Sequence, residues 1–460
     1  MKNRLIGDRK FYARVLALAV PIMIQNGITN LVSMLDNIMV GRIGTVEMTG
    51  VAVTNQLIFV FNLCIFGAVS GAGIFGAQFY GNGDTKGVRD TFRFKVLFCT
   101  AVSIIGIAVL YFYGQPLINL YLRGEGETDA AQASYAVARE YMNVMLAGLI
   151  PYALVQCYSS TLRETDNAVL PMVAGVIAVA VNLSLNYVLI FGNFGAPKMG
   201  AKGAAVATVI SRFAELATVA VYTRIKADKN KFIIGAYKSI KVPAALVKDI
   251  TVRGMPLMVN ETLWAASVAV LNQCYSVRGL TAVAANNICQ TFFNVFSVAF
   301  MAVGAAIGII LGQILGSGDT DRAKDTAAKL MAFSVMVSVA VSAVYFIAAE
   351  FIPSLYNTND EVRRLAASLM RISALIMPLD AFANASYFTI RSGGKVFITF
   401  LFDSVFMMAI SVPVAFVLSR CTSLSVLYLY AICQSLSFIK DVIGYIFVKN
   451  GSWARKIVDV

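Results

Sequence analysis

The sequence predicts an all-helical protein that crosses a membrane twelve times. Three observations carry that prediction. The 460 residues are 58% hydrophobic and only 14% charged, with a mean hydropathy of +0.73, whereas a soluble chain carries about a quarter charged residues. Apolar runs of roughly 20 residues recur over the whole length, each long enough to cross a hydrocarbon layer about 30 Å thick. The chain also repeats itself, so that one six-helix unit occurs twice.

The twelve apolar segments lie near 15–41, 47–72, 93–114, 138–160, 168–191, 202–224, 250–276, 282–312, 328–350, 366–390, 396–418 and 425–448. Short polar loops separate them. Lysine and arginine are more than twice as frequent in the loops and tails on the N-terminal side of this weave as on the other side, and the largest cluster runs from Arg224 to Lys248. The positive-inside rule then places both termini in the cytoplasm, as an even number of spans requires. The net charge of +13 therefore reads as membrane orientation rather than nucleic-acid binding. No cleavable signal peptide is expected, because no small-residue cleavage site follows a short apolar core. The 7 cysteines form no C-x-x-C pair, so neither a disulfide framework nor a cysteine metal site is implied. The absence of histidine removes His-based zinc sites, Ser-His-Asp triads and His proton relays.

The repeat is explicit. "QFYGNGDT" at Gln78–Thr85 returns as "QILGSGDT" at Gln313–Thr320, and at the same offset Pro21 meets Pro256 and Asp90-Thr91 meets Asp325-Thr326. "TLRETDNAV" around Arg163 resembles "TIRSGGKVF" around Arg391. The expected organisation is an N-lobe over residues 1–224, a basic cytoplasmic linker over 225–248 and a C-lobe over 249–460. Parallel repeats of this kind are a feature of secondary transporters, with binding sites near the midplane. Gly67 and Gly71 in one half, and Gly304, Gly308 and Gly312 in the other, suit close helix packing. Asp84 and Asp319 follow glycine in short loops and read as helix caps.

Polar groups inside the spans point to the site. A charge at the bilayer centre costs about 3 kcal/mol or more, so Asp36 in "NLVSMLDNIMVGR" needs a compensating function or partner. At a rise of about 1.5 Å per residue, Asp36 lies roughly 9 Å inside the end of the first segment marked by Arg42. Asn186 lies roughly 9 Å from Gly192 on the fifth segment, and Thr208 roughly 9 Å from Lys202 on the sixth. Asn182 is one turn deeper, on the face of Asn186. Asp36, Asn182, Asn186 and Thr208 thus form a candidate oxygen-rich site for a proton or Na⁺.

The second half holds Glu261, roughly 12 Å from the inner end of the seventh segment, and Asp380, roughly 16 Å from the inner end of the tenth. These two can meet near mid-membrane if their helices are neighbours, and such a pair suits a proton, a metal cation or a cationic substrate. Asp403 either joins that site or faces a water-filled cavity. Glu215 follows Arg212 by one turn, which suits an internal ion pair. Phe292, Phe293, Phe296 and Tyr387 could offer aromatic faces to cations, or serve ordinary packing. Methionines such as Met255, Met258, Met377 and Met407 could line an adaptable cavity.

"LDNIMVGRIG", "NLSLNYVLIFG", "GAKGAAVAT" and the doubled six-helix pattern together resemble the multidrug and toxic compound extrusion (MATE) transporters over essentially the whole chain. Glu261 and Asp380 resemble the NorM-like branch. The resemblance implies a MATE-like fold of two six-helix lobes and a multidrug efflux antiporter of the inner membrane that exports small organic cations in exchange for Na⁺ or H⁺. It implies a functional monomer in the lipid bilayer that needs no cofactor beyond the coupling ion. It also implies that Asp36, Asn182, Asn186 and Thr208 form an N-lobe cation site and that Glu261 and Asp380 form the C-lobe site. In some relatives an aspartate stands at the position of Asn186, so this N-lobe site has one carboxylate where those have two. An alternative is a lipid-linked oligosaccharide or related lipid flippase of similar architecture, which would want several cationic residues for pyrophosphate. The spans offer mainly Arg212 and Arg253 against Asp36, Glu261 and Asp380. An intramembrane enzyme is not expected, because no catalytic dyad or triad is evident.

Overall fold

The computed structural model describes residues 5–122, 129–356 and 358–458. Among them, twelve helices are long and apolar enough to cross a membrane. They are α1 (Arg9–Gly41), α2 (Thr45–Gly81), α3 (Thr85–Leu122), α4 (Ala131–Glu164), α5 (Val169–Phe191), α6 (Gly200–Ile225), α7 (Ala244–Ser276), α8 (Leu280–Gly316), α9 (Thr320–Leu355), α10 (Asp360–Ser392), α11 (Val396–Cys421) and α12 (Val426–Lys449). No strand occurs among the described residues. The fold class is the all-helical, twelve-span one that composition and apolar run length predict. Several helices extend beyond the apolar runs, because α-helical hydrogen bonds continue past the hydrocarbon layer wherever no proline or glycine stops them.

Irregularities in these helices have local causes. Pro256 opens the second part of α7, where it has no N–H to lose, so α7 is built from Ala244–Gly254 and Pro256–Ser276. A 3₁₀ turn, Leu146–Gly148, interrupts α4. Helix α11 contains two π-helical turns, Leu401–Val405 and Met407–Ser411. Such turns insert an extra residue and are frequent at functional sites. Asn359 caps α10, its side-chain oxygen accepting from Val362 N at 2.9 Å. Asp319 caps α9, accepting from Arg322 N at 3.0 Å.

The chain packs into two compact units. One comprises residues 24–76 and 85–249, and the other residues 1–23, 77–84 and 250–460. In the first, the buried Lys95 of α3 meets Glu164 of α4, with Nζ 2.7 Å from each carboxylate oxygen. Ser160 and Thr161 complete the cage. Gly73 and Gly76 leave room for it, since a methyl at either would collide with the Glu164 carboxylate. The basic linker returns to this unit through Phe232 and Tyr237, which pack on Phe92, and through the carbonyls of Gly235 and Ala236, which accept from Arg93.

In the second unit the core is a cluster that includes Tyr345, Met370, Met377 and Tyr430. Here the two repeated motifs meet. A methyl at Gly81 would overlap the carbonyl of Gln313, and a methyl at Gly316 would overlap the carbonyl of Gln78. The contact is reciprocal, as two copies of one motif related by a pseudo-twofold require. Gln78 also holds the C-terminal segment: Nε2 donates to the carbonyls of Ser392 (3.0 Å) and Arg455 (3.1 Å), and Oε1 accepts from Ile457 N (2.8 Å). Trp453 and Val458 are buried in that segment.

Candidate functional site

Two polar clusters lie inside the spans, one in each unit. In the first unit, α5 places Asn182 and Asn186 one turn apart on the same face, and Gly192 in a left-handed conformation (φ 76°) ends the helix. Helix α6 approaches α5 closely at Gly203, where a methyl would lie 2.7 Å from the carbonyl of Leu189. That approach brings Thr208 against Asn182. The result is a continuous chain of side-chain bonds. Asn186 Nδ2 donates to Asp36 Oδ1 at 2.6 Å and to Asn182 Oδ1 at 3.0 Å, and Asn182 Nδ2 donates to Thr208 Oγ1 at 3.3 Å. Thr208 Oγ1 in turn donates to the carbonyl of Ala204 at 2.9 Å. All four residues singled out in the sequence are therefore contiguous. Asn182 and Asn186 are buried, and Asn186 Oδ1 has no hydrogen-bond partner. A buried carbonyl oxygen without a donor is costly, and beside a carboxylate it forms a ready ligand for a cation.

Arg212 and Glu215 differ from the sequence expectation. No hydrogen bond or ion pair joins them among the described residues. Arg212 Nη1 instead donates to the carbonyl of Gly148 at 3.2 Å, and its guanidinium lies 5.0 Å from the Tyr152 ring centre. Arg212 thus reaches α4 at its 3₁₀ interruption, Leu146–Gly148.

In the second unit Asp403 takes the first of the two places that the sequence left open for it. Asp403, in the first π turn of α11, forms an ion pair with Lys440 of α12 at 2.7 Å. Its other oxygen accepts from Asn260 Nδ2 at 3.3 Å. Asn260, one turn past the Pro256 break of α7, is held by Ser404 Oγ, 2.6 Å from its carbonyl and 2.8 Å from its Oδ1, and lies 3.4 Å from Tyr387 OH. Asp403 thus joins the second cluster. Asp380 accepts from Ser437 Oγ of α12 at 3.1 Å. Glu261 lies within electrostatic range of Arg391 and Asp403. No hydrogen bond or ion pair joins Glu261 to Asp380 among the described residues; the Asp403–Lys440 pair lies between them in the chain of interactions.

The aromatic candidates divide. Phe292, Phe293 and Phe296 pack partly buried against the core of the second unit, with Phe296 stacked 4.7 Å from Tyr345. Tyr387 adjoins the acids, with the Arg391 guanidinium 5.9 Å from its ring centre. Of the methionines, Met377 is a core residue. A cavity of about 730 Å³ opens elsewhere in this unit, between the start of α1 and the facing ends of α8 and α9, and includes Lys10, Arg14, Arg322 and Lys329 in its wall. Among the described residues no group of three or more His, Cys, Asp or Glu side chains is disposed to hold a metal ion. Lys440 and Asp441 were missed by sequence reading. Their adjacency near the end of the last span resembles an interfacial charge pair, and nothing local marks either as inward-facing.

Comparison with known proteins agrees with this architecture. The MatE family profile matches residues 21–188 and 256–417, one match in each half. The probable multidrug resistance protein NorM of Thermotoga maritima is 24% identical over 452 residues, spanning 96% of this chain and 93% of the relative. The multidrug resistance protein MdtK of Proteus mirabilis is 25% identical over 409 residues, spanning 88% and 87%. Among solved structures, a MATE protein in the straight conformation superposes with a TM-score of 0.85 at 18% identity over 98% of each chain. A MOP superfamily transporter from Pyrococcus furiosus, described as having a binding pocket of reverse polarity, gives 0.83 at 18% identity over 97% of this chain and 98% of that one. With matched segments covering most of the chain and the same twelve-helix fold, this protein belongs to the MatE family of membrane transporters and is not an enzyme.

Proposed function

We propose that the protein is a multidrug efflux antiporter that exports organic cations in exchange for Na⁺ or H⁺ by alternating access between its two lobes. In this reading it sits in the inner membrane with both termini cytoplasmic, works as a monomer and needs no cofactor beyond its coupling ion. Relatives carrying the name of multidrug resistance proteins support the efflux role. The observation that carries the coupling is the bonded chain Asp36–Asn186–Asn182–Thr208 within the spans. It supplies a carboxylate, two amide oxygens and a hydroxyl, a ligand set suited to a hard monovalent cation or a proton.

The acids of the second unit, Glu261, Asp380 and Asp403, support a cationic rather than an anionic cargo. A lipid flippase for pyrophosphate carriers is the less favoured reading, since carboxylates outnumber the guanidinium and ammonium groups around Glu261 and Asp380. Coupling works by differential binding: the ion must bind one arrangement of the lobes more tightly than the other, and a ligand held equally by both drives nothing. The test is efflux of ethidium from proteoliposomes under a Na⁺ gradient and, separately, a H⁺ gradient. Efflux driven by either supports the reading and identifies the ion. No efflux under either gradient overturns it.

A further inference from the structure

Asp441 of α12 is a carboxylate with nothing to hold it. It is 7% exposed, and neither Oδ1 nor Oδ2 has a hydrogen-bond partner. Leaving an ionised carboxylate dry and unpaired costs several kcal/mol or more, so such a group is neutralised by a proton or a cation. The basic group within electrostatic range, Lys440, is already committed: its ammonium lies 2.7 Å from Asp403. Asp441 also lies within electrostatic range of Asp380, whose Oδ1 accepts from Ser437 Oγ. Ser437 is one turn before Asp441 on α12, so Asp380 is bonded to α12 one helical turn from Asp441.

The surroundings were built for close approach. At Gly444, one turn past Asp441, a methyl would lie 2.9 Å from Ser386 Cβ of α10 and 3.2 Å from Phe402 of α11. Two further buried oxygens on the α10 face, Ser386 Oγ and Thr389 Oγ1, also have no partner. The charged groups facing this region are Glu261 from α7, Asp380 and Arg391 from α10, Asp403 from α11, and Lys440 and Asp441 from α12. Four acids thus face two bases, an excess of two negative charges inside the spans.

We propose that Asp441 and Asp380, with the Ser437 hydroxyl, form a two-carboxylate site for a monovalent cation, H⁺ or Na⁺, and that Asp441 is a coupling residue of the transport cycle. Occupancy neutralises the pair, and release on the other side of the membrane restores the charge. The Lys440–Asp403 ion pair fixes the α12 turn that carries Asp441. This inference rests on the antiport reading given above.

The test uses the full-length protein in proteoliposomes, with Asp441→Asn and Asp441→Glu beside the wild type. Three rates are read: ethidium efflux under a Na⁺ gradient at fixed pH, efflux under a H⁺ gradient without Na⁺, and gradient-free exchange of ethidium for ethidium. Asparagine mimics the neutralised carboxyl, so Asp441→Asn is expected to lose gradient-driven efflux by about tenfold or more while exchange stays within about twofold. Asp441→Glu is expected to recover part of the driven rate. The gradient that drives the wild type tells Na⁺ from H⁺. Driven efflux by Asp441→Asn within twofold of wild type overturns the proposal. So does equal loss of driven efflux and exchange, which marks a structural role. A wild type that moves no ethidium overturns the antiport reading instead.

Discussion

The side-chain amide of Asn186 lies 2.6 Å from the carboxylate of Asp36, across from α5 to α1. One amide nitrogen serves both Asp36 and Asn182, so the three side chains are locked together and Asn186 Oδ1 is left facing no donor. Replacing Asn186 with alanine removes the donor from the buried Asn182 and the half-buried Asp36. The expected cost is about 1–3 kcal/mol, read as a lower melting temperature of the detergent-solubilised protein, together with reduced efflux. An unchanged melting temperature and unchanged efflux would show that the amide holds nothing.

Asp36→Asn, Glu261→Gln and Asp380→Asn each keep shape and remove a titratable charge. Each is expected to slow gradient-driven dye efflux by about tenfold or more while the protein still inserts and purifies in normal yield. Wild-type efflux from all three variants would sink the assignment of these carboxylates.

The Lys440–Asp403 pair tests the second cluster. Lys440→Met leaves the half-buried Asp403 without its cation and is expected to cost about 1–3 kcal/mol. The double variant Lys440→Met with Asp403→Asn removes both charges and should regain much of the loss. A double-mutant cycle by thermal melting reads the coupling, and strictly additive losses would mean that the 2.7 Å contact does not matter energetically.

Much of the first cluster was legible because depth arithmetic needs only a helix rise and a loop marker. Asp36, Asn186 and Thr208 each fall six residues from a recognisable end, so three helices align without any knowledge of packing. The second cluster was harder. Asp403 and Lys440 are 37 residues apart, and their meeting depends on the rotation of α11 against α12. The π turns at Leu401–Val405 and Met407–Ser411 shift that rotation, and the break of α12 at Leu436 shifts it again. Pro413, two residues past the second π turn, marks that stretch as irregular but not how far it turns the helix, and the break at Leu436 has no proline or glycine beside it. The Gly81–Gln313 and Gly316–Gln78 contacts were foreshadowed by the repeated "QxxGxGDT" motif, but that two copies of one motif would touch is a tertiary fact.

Gln78 is expected to act as the staple of the C-terminal segment. Gln78→Ala removes hydrogen bonds to Ser392, Arg455 and Ile457, and the segment should then become cleavable by trypsin at Arg455 and Lys456 at least several times faster. Proteolysis tracks the population of the opened form. Equal cleavage rates in wild type and variant would mean that Trp453 burial alone holds the tail.

The buried pair of Lys95 and Glu164 predicts a steric effect at Gly76, which belongs to α2 and is far from both in sequence but in direct contact with the Glu164 carboxylate. Gly76→Ala places a methyl against the Glu164 carboxylate and is expected to destabilise the protein by about 1–3 kcal/mol. A melting temperature equal to that of wild type would show that the carboxylate can retreat.

The central claim is exchange of a cation for the exported molecule, and reciprocity tests it most directly. Proteoliposomes loaded with ethidium are placed in dye-free medium with no ion gradient, and movement of Na⁺ and of H⁺ is followed by isotope and by a pH-sensitive fluorophore. Antiport predicts that outward dye flux drives Na⁺ or H⁺ inward, and that Asp36→Asn with Asp380→Asn abolishes the ion flux. Dye efflux at full rate with neither ion moving would contradict the account.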